Sequence, residues 1–169
     1  MDTELAVASK RDRREYSDKP IPEEVEQRIL DAGRVAGSAR NRQDRRFVVI
    51  RDRHEEAIEL VTRPDNLRTA TLVVAIVIPS GKGAGPFDAG RATQNMMLAA
   101  WNQGVVSCPN AIADAERLNE LVGAGEDERV GIVLSFGYPP NGGDPERFSV
   151  EEWVEKADRA PVAEAVRRV

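Results

Sequence analysis

The chain has 169 residues, a formal net charge of −5 at pH 7, 31% charged residues, 5% aromatics, one Cys and one His. That length suits one domain spanning 1–169 with a core of its own. The acidic balance argues against nucleic acid and anionic membranes as partners, the lone Cys suits a reducing cytoplasm, and a single His excludes a His-rich metal cage.

Residues 4–9 are weakly helical. Lys10-Arg11-Asp12-Arg13-Arg14 then sets four cations in five residues. Such a run is most often a solvated face. A phosphate-binding corner and a nucleic-acid arm are the alternatives, and the scarcity of aromatics weighs against the arm. Nothing in the first 16 residues has the apolar core of a signal peptide. After an extended turn at Asp18–Pro22, an amphipathic helix is predicted over Pro22–Ala36. Val25, Ile29, Ala32 and Ala36 share its inner face, and Gly37 closes it. The stretch Gly37–Gln43 lacks an apolar pattern and is dense in donors, suited to an oxygen-rich ligand or simply to a surface loop.

A strand follows at Phe47–Ile50 and a helix at Glu55–Val61. Thr71–Pro79 is a continuous β-branched run, the mark of a central strand buried on both faces. The Gly-rich stretch Ser80–Pro86 matches neither GxxxxGK[ST] nor the dinucleotide fingerprint, so it reads as a connector. A helix is expected from Asp88, as N-cap, to Gly104, as left-handed stop. Within it Met96–Trp101 is apolar on every side, which calls for a core or an interface. Gln94 and Asn95 there need partners if buried. Val105–Cys108 reads as a short strand ended by Pro109. Asp114–Val122 is a helix capped by Asp114 and stopped by Gly123. Val130–Phe136 is a second central strand, Gly137–Arg147 a loop, and Val150–Lys156 a helix. A last helix at Pro161–Val169 puts Val162, Val166 and Val169 on one face. No apolar run approaches the roughly 20 residues needed to span a bilayer. Interleaved strands and helices predict an α/β or α+β domain of three layers.

No catalytic set of side chains is legible. The chain lacks GxSxG, CxxC and HExxH, and no spacing brings Cys108 to His54 as nucleophile and base. No carboxylate pair or metal-ligand set stands out. The chemistry is therefore assigned to a bound cofactor rather than to a catalytic residue. The cationic corner and the donor-rich loop favour an anionic, oxygen-rich one.

The order of motifs resembles the nitroreductase family of FMN-dependent oxidoreductases, from Lys10 to about Val166. KRDRREYSDKPIPEEVEQRIL is similar to the family's RRSxRxFxxxPVPEE start, and GSARNRQDRRFVVIRD to APSxxNxQPWRFVVVRD. DAGRATQNMMLAAWNQGVVSC is similar to DxGxAxQNLLLAAxxLGLGSC, VGIVLSFGYP to the late strand and GYP turn, and DRAPVAEAV to RKPLxEVV. The resemblance implies a mixed central sheet with helices on both faces. It also implies an intertwined homodimer with FMN at the subunit interface, and a C-terminal segment reaching over the partner.

Carried over by position, Lys10, Arg11 and Arg14 would hold the FMN phosphate, with Asp12 at the usual Ser position, either beside the phosphate or orienting Arg11 or Arg14. Arg159 would also reach the phosphate. Ser38, Asn41 and Gln43 would contact ribityl, phosphate or ring edge, and Asn66 the ring. Backbone at Ser107, Cys108 and Pro109 would line the isoalloxazine. Asp44 and Arg45 replace the Pro-Trp of the QPW element, removing an aromatic, and Gly37 replaces a Pro. The implied activity is ping-pong electron transfer from NADH or NADPH to a nitro compound, quinone or enone. Alternatives are a flavin carrier or sensor without turnover, flavin fragmentation or deazaflavin-linked chemistry on the same fold, and a nucleic-acid module.

Overall fold

The computed structural model describes residues 1–81 and 83–169. Lys82, in the predicted connector, lies outside the described residues. The helices are α1 (Thr3–Ser9), α2 (Glu23–Arg34), α3 (His54–Ile58), α4 (Asp65–Arg68), α5 (Gly85–Trp101), α6 (Ala115–Val122), α7 (Val150–Lys156) and α8 (Val162–Ala165). The strands are β1 (Arg46–Val49), β2 (Leu72–Pro79), β3 (Val106–Asn110) and β4 (Glu128–Gly137). They form one sheet in the order β1-β2-β4-β3, and every ladder is antiparallel. Among the described residues, the parallel pairing expected of a mixed sheet is limited to one isolated bridge, Asp12 to Ser107.

Successive side chains of a strand point to opposite faces, and β2 is apolar at every position. Its Val73, Ala75 and Val77 join a core with Ala57, Ile58 and Leu67 of α3 and α4 and Leu118 and Val122 of α6. Its Leu72, Val74, Ile76 and Ile78 join a second core with Val25 and Ile29 of α2 and Ala92, Met96 and Ala100 of α5. One sheet thus lies between two helical layers, the expected three-layer arrangement.

Local chemistry explains where the boundaries fall. Asp114 accepts from the Arg117 N–H at 3.1 Å, and Gly123 stops α6 at φ 64°. The expected helix Asp88–Gly104 instead runs Gly85–Trp101, because Pro86 suits a first turn. Gly104 does adopt φ 72°, and Val105 N–H reaches back to the Ala100 carbonyl at 3.0 Å. Gln94 and Asn95 stay exposed, so neither needs a buried partner. Pro109 does not end β3. The strand runs on to Asn110, since β3 is an edge strand, where a missing N–H is tolerated. The sequence reading missed α4, a single turn entered through Pro64. The expected Pro161–Val169 helix shrinks to four residues, all exposed. Val162, Val166 and Val169 are exposed rather than packed in a core, and so short a helix cannot sustain itself. No helix among the described residues is long and apolar enough to cross a membrane.

Candidate functional site

The basic corner is stitched to β3 by its backbone. Asp12 bridges Ser107, and the Arg13 N–H donates to the Ser107 carbonyl at 3.1 Å. This brings Lys10–Arg14 against Ser107–Pro109, two stretches far apart in sequence. Within the corner the cations have different occupations. Lys10 has a buried side chain whose ammonium pairs with Asp12 and also donates to Met97 Sδ at 3.2 Å. Asp12 therefore pairs with Lys10, not with Arg11 or Arg14. Arg11 donates to the carbonyls of Ala8 (2.7 Å), Lys10 (2.9 Å) and Trp153 (2.7 Å), and lies 5.6 Å from the Trp153 ring centre. It joins α1 to α7 as much as it can serve a ligand. Arg14 is exposed and lies beside Cys108, where its charge opposes the burial that pushes the thiol up.

Arg14, Arg63, Asn66 and Thr62 line both a cavity of about 780 Å³ and a smaller one of about 180 Å³ that adds Pro109 and Asn110. Among the described residues no ion pair engages Arg14 or Arg63, whereas Arg68 is held by Asp65 and Glu59. Beneath the cavities lies a buried polar network of Tyr16, Ser135, Asn110 and Asn66. Asn66 donates to Asn110 Oδ1 at 2.9 Å, Asn110 to Ser135 Oγ at 3.1 Å, and Ser135 Oγ meets the Tyr16 hydroxyl at 2.8 Å. Burial raises the Tyr16 pKa strongly, so the phenol stays protonated. Sequence reasoning missed Tyr16, Arg63, Asn110 and Ser135. The one available signal was Ser135, a lone hydroxyl inside the apolar run VGIVLSF.

Ser38, Asn41 and Gln43 sit on a separate, strained loop. Arg40, Asn41 and Gln43 all adopt left-handed backbone, at φ 55°, 53° and 55°. Each such non-glycine residue costs on the order of 1 kcal/mol. The loop persists because it is tethered. Buried Asp88, inside the first turn of α5 rather than at its cap, accepts from the Ala39 N–H at 3.0 Å, and Ser38 Oγ accepts from the Gln43 N–H at 3.0 Å. Arg91 packs so close to Gly37 that a Cβ there would fall 2.3 Å from its Nη2. That nitrogen is the far end of a flexible, half-exposed side chain, so a larger residue at 37 would displace Arg91 rather than the backbone.

Arg45 takes over from the absent aromatic. Its buried guanidinium donates to the carbonyls of Gly33 (3.3 Å) and Arg34 (3.5 Å), at the end of α2, and of Ala36 just beyond it. Asp44 lies 3.6 Å from Arg42.

The structure therefore divides the residues singled out by sequence. Lys10, Arg11, Asp12, Arg14, Asn66, Ser107, Cys108 and Pro109 come together. Among the described residues no hydrogen bond or ion pair joins them to Ser38, Asn41 and Gln43. Arg159 is exposed and, among the described residues, its side chain bonds only to the Ala157 carbonyl, at 2.8 Å. His54 bonds to the Leu67 carbonyl at 2.9 Å, so it is not paired with Cys108. The donor set suits an anionic, oxygen-rich cofactor. Free guanidinium groups face the cavities, and Ser107 Oγ is buried without a partner among the described residues, a donor that a ligand could engage.

Known proteins agree with this architecture. The family model described as the nitroreductase family matches residues 7–79 and 62–138. A relative from Archaeoglobus fulgidus, provisionally named an NADH dehydrogenase/NAD(P)H nitroreductase, is 30% identical over 87% of this chain and 96% of its own. The crystal structure of a nitroreductase family protein from Clostridium difficile superposes with a TM-score of 0.81 at 22% identity, covering 99% of this chain and 98% of that one. A structure described as an FMN-dependent nitroreductase from Clostridium difficile gives 0.73 at 21% identity, covering 87% and 95%. The motif order, the sheet between two helical layers and these matches lead to one assignment: the chain belongs to the nitroreductase family.

Proposed function

We propose that the protein is an FMN-dependent oxidoreductase that takes two electrons from NADH or NADPH and passes them to a small organic acceptor such as a nitro compound, quinone or enone. The observation that carries this reading is the convergence of Arg14 and Asn66 on both cavities, with Pro109 on the smaller one, beside a corner bonded to β3 through its backbone. The larger cavity, at about 780 Å³, falls in the range of small-molecule sites. Similarity to a structure described as an FMN-dependent nitroreductase supports the cofactor, and similarity to an NADH dehydrogenase/NAD(P)H nitroreductase supports the donor.

When bound, flavin supplies the redox chemistry and serves both substrates in turn, so the kinetics are ping-pong. The net reaction consumes NAD(P)H, a proton and an oxidised acceptor, and releases NAD(P)⁺ and the acceptor reduced by two electrons. The chain's own residues bind and orient. Arg14 supplies positive charge and donors to an anion. Asn66 supplies an amide to a ring edge. Lys10, with its side chain buried, holds a cation at the corner with little freedom to lose.

Among the described residues of one chain, Ser38, Asn41 and Gln43 have no hydrogen bond or ion pair to the corner. We infer that a second copy supplies that loop to the site, in a homodimer that also covers the exposed Val162 and Val166. The test is the visible spectrum of the purified protein with FMN under anaerobic conditions, before and after NAD(P)H. Bound flavin that bleaches is the expected result. Bound flavin that resists both donors leaves a carrier or a different reductant, and absence of binding at excess FMN overturns the cofactor.

A further inference from the structure

An Asn side chain can present either its oxygen or its nitrogen, and which one a site shows its ligand decides what the site accepts. Here the buried network settles the choice. Asn110 places one amide atom 3.0 Å from the Cys108 carbonyl and 3.4 Å from the Val133 carbonyl. Carbonyls only accept, so that atom is nitrogen. The Asn110 oxygen therefore faces the other way, where Asn66 approaches at 2.9 Å. Two amide oxygens would repel there, so Asn66 must offer its own nitrogen to Asn110. Asn66 Oδ1 is thereby turned away from Asn110, and among the described residues it accepts no hydrogen bond. Asn66 is 7% exposed and lines both cavities together with Arg14 and Arg63.

The orientation is anchored further back. Ser135, wholly buried on β4, receives Asn110 and contacts Tyr16, whose hydroxyl also reaches the Arg13 carbonyl at 3.0 Å. A continuous chain of hydrogen bonds thus runs from the backbone of the basic corner to the amide at the cavity wall. Turning Asn66 over would set its oxygen against the Asn110 oxygen, two acceptors with no donor between them.

We propose that Asn110, held by Ser135 and Tyr16, is a positioning residue. It locks Asn66 so that the carbonyl oxygen is the acceptor on the cavity wall. With the Arg14 and Arg63 guanidinium groups as donors in the same cavities, Arg14 thereby serving the ring edge and not the phosphate that the family resemblance gives it, the wall reads a ligand edge that carries an N–H between two carbonyls. This rests on the flavin reading above, since the pyrimidine side of the isoalloxazine is such an imide edge.

The experiment compares the affinity of the full chain for FMN with its affinity for 3-methyl-FMN, in which the imide hydrogen is replaced. The wild-type protein should prefer FMN by about tenfold or more. Asn110→Leu should lose most of that preference, because Asn66 is then free to rotate. Ser135→Ala, a smaller change that keeps the core volume, should lose part of it. General loosening of the site weakens both ligands alike and leaves the ratio unmoved, so the ratio separates positioning from mere stability. An unchanged ratio in both variants overturns the inference, as does a wild-type protein that binds the two ligands equally. If Asn110→Leu does not fold, an unchanged ratio in Ser135→Ala alone overturns it. A wild-type protein that binds neither ligand overturns the flavin reading itself.

Discussion

The segments Lys10–Arg14 and Asp158–Val169 are both basic, and the family resemblance gives both a phosphate contact. The structure treats them in opposite ways. The first is tied to the sheet by the Asp12–Ser107 bridge, to α7 through Arg11, and to the core through Tyr16. The second is exposed at every residue, and among the described residues the Arg159 side chain holds only a neighbour's carbonyl. The difference shows what turns a charged run into a site. Cations alone make a solvated face. Cations whose backbone is bonded to a buried strand are held in register with the groups that strand carries.

The largest expected effect lies where the corner meets the core. A Cβ on Gly137 would sit 2.6 Å from the Tyr16 Cβ and 2.8 Å from its Cγ. Gly137→Ala should therefore destabilise by about 2–3 kcal/mol, a drop of roughly 5–10 °C in Tm by calorimetry. A Tm within about 1 °C of wild type would mean the corner is not seated on Tyr16.

Next come two neighbouring arginines that look alike in sequence. Arg11 is committed to three carbonyls and to Trp153, and Arg14 is free at the cavity. Arg11→Ala should lower stability by about 1–2 kcal/mol, read by denaturant titration. Arg14→Ala should leave stability within about 0.5 kcal/mol while weakening FMN about tenfold to a hundredfold. The reverse pattern would exchange their roles.

The smallest effect belongs to the C-terminal segment. Removing residues 159–169 should change unfolding at low protein concentration by less than about 0.5 kcal/mol. The loss should grow with concentration if a second copy covers the segment, because association stabilises by mass action. A large loss at every concentration would place the segment against its own chain.

Features governed by nearby residues were legible in the sequence. The Asp114 cap and the Gly123 stop bound α6 as read, and the unbroken apolar run of β2 marked a strand with a core on each side. Features governed by distant partners were not. Asp88 reads as a cap until it is found inside the first turn of α5, its carboxylate on the Ala39 N–H. Pro109 reads as a breaker until β3 proves to be an edge. Arg45 reads as a lost aromatic until it is found on the carbonyls that close α2. The motif order pointed to the residues of the corner, but nothing local to Asn66 or Asn110 shows that β3 and α4 bring them to one hydrogen bond. That meeting is a product of sheet register.

The Asp12–Ser107 bridge has an evolutionary corollary. Main-chain bonds hold position 12 in place, whatever its side chain. A lineage can therefore exchange a hydroxyl for a carboxylate there, and alter the charge beside the ligand, without moving the strand that carries the site. Such a position is a tuning point: drift reaches it by single substitutions, and selection can act on affinity while the architecture stays as it was.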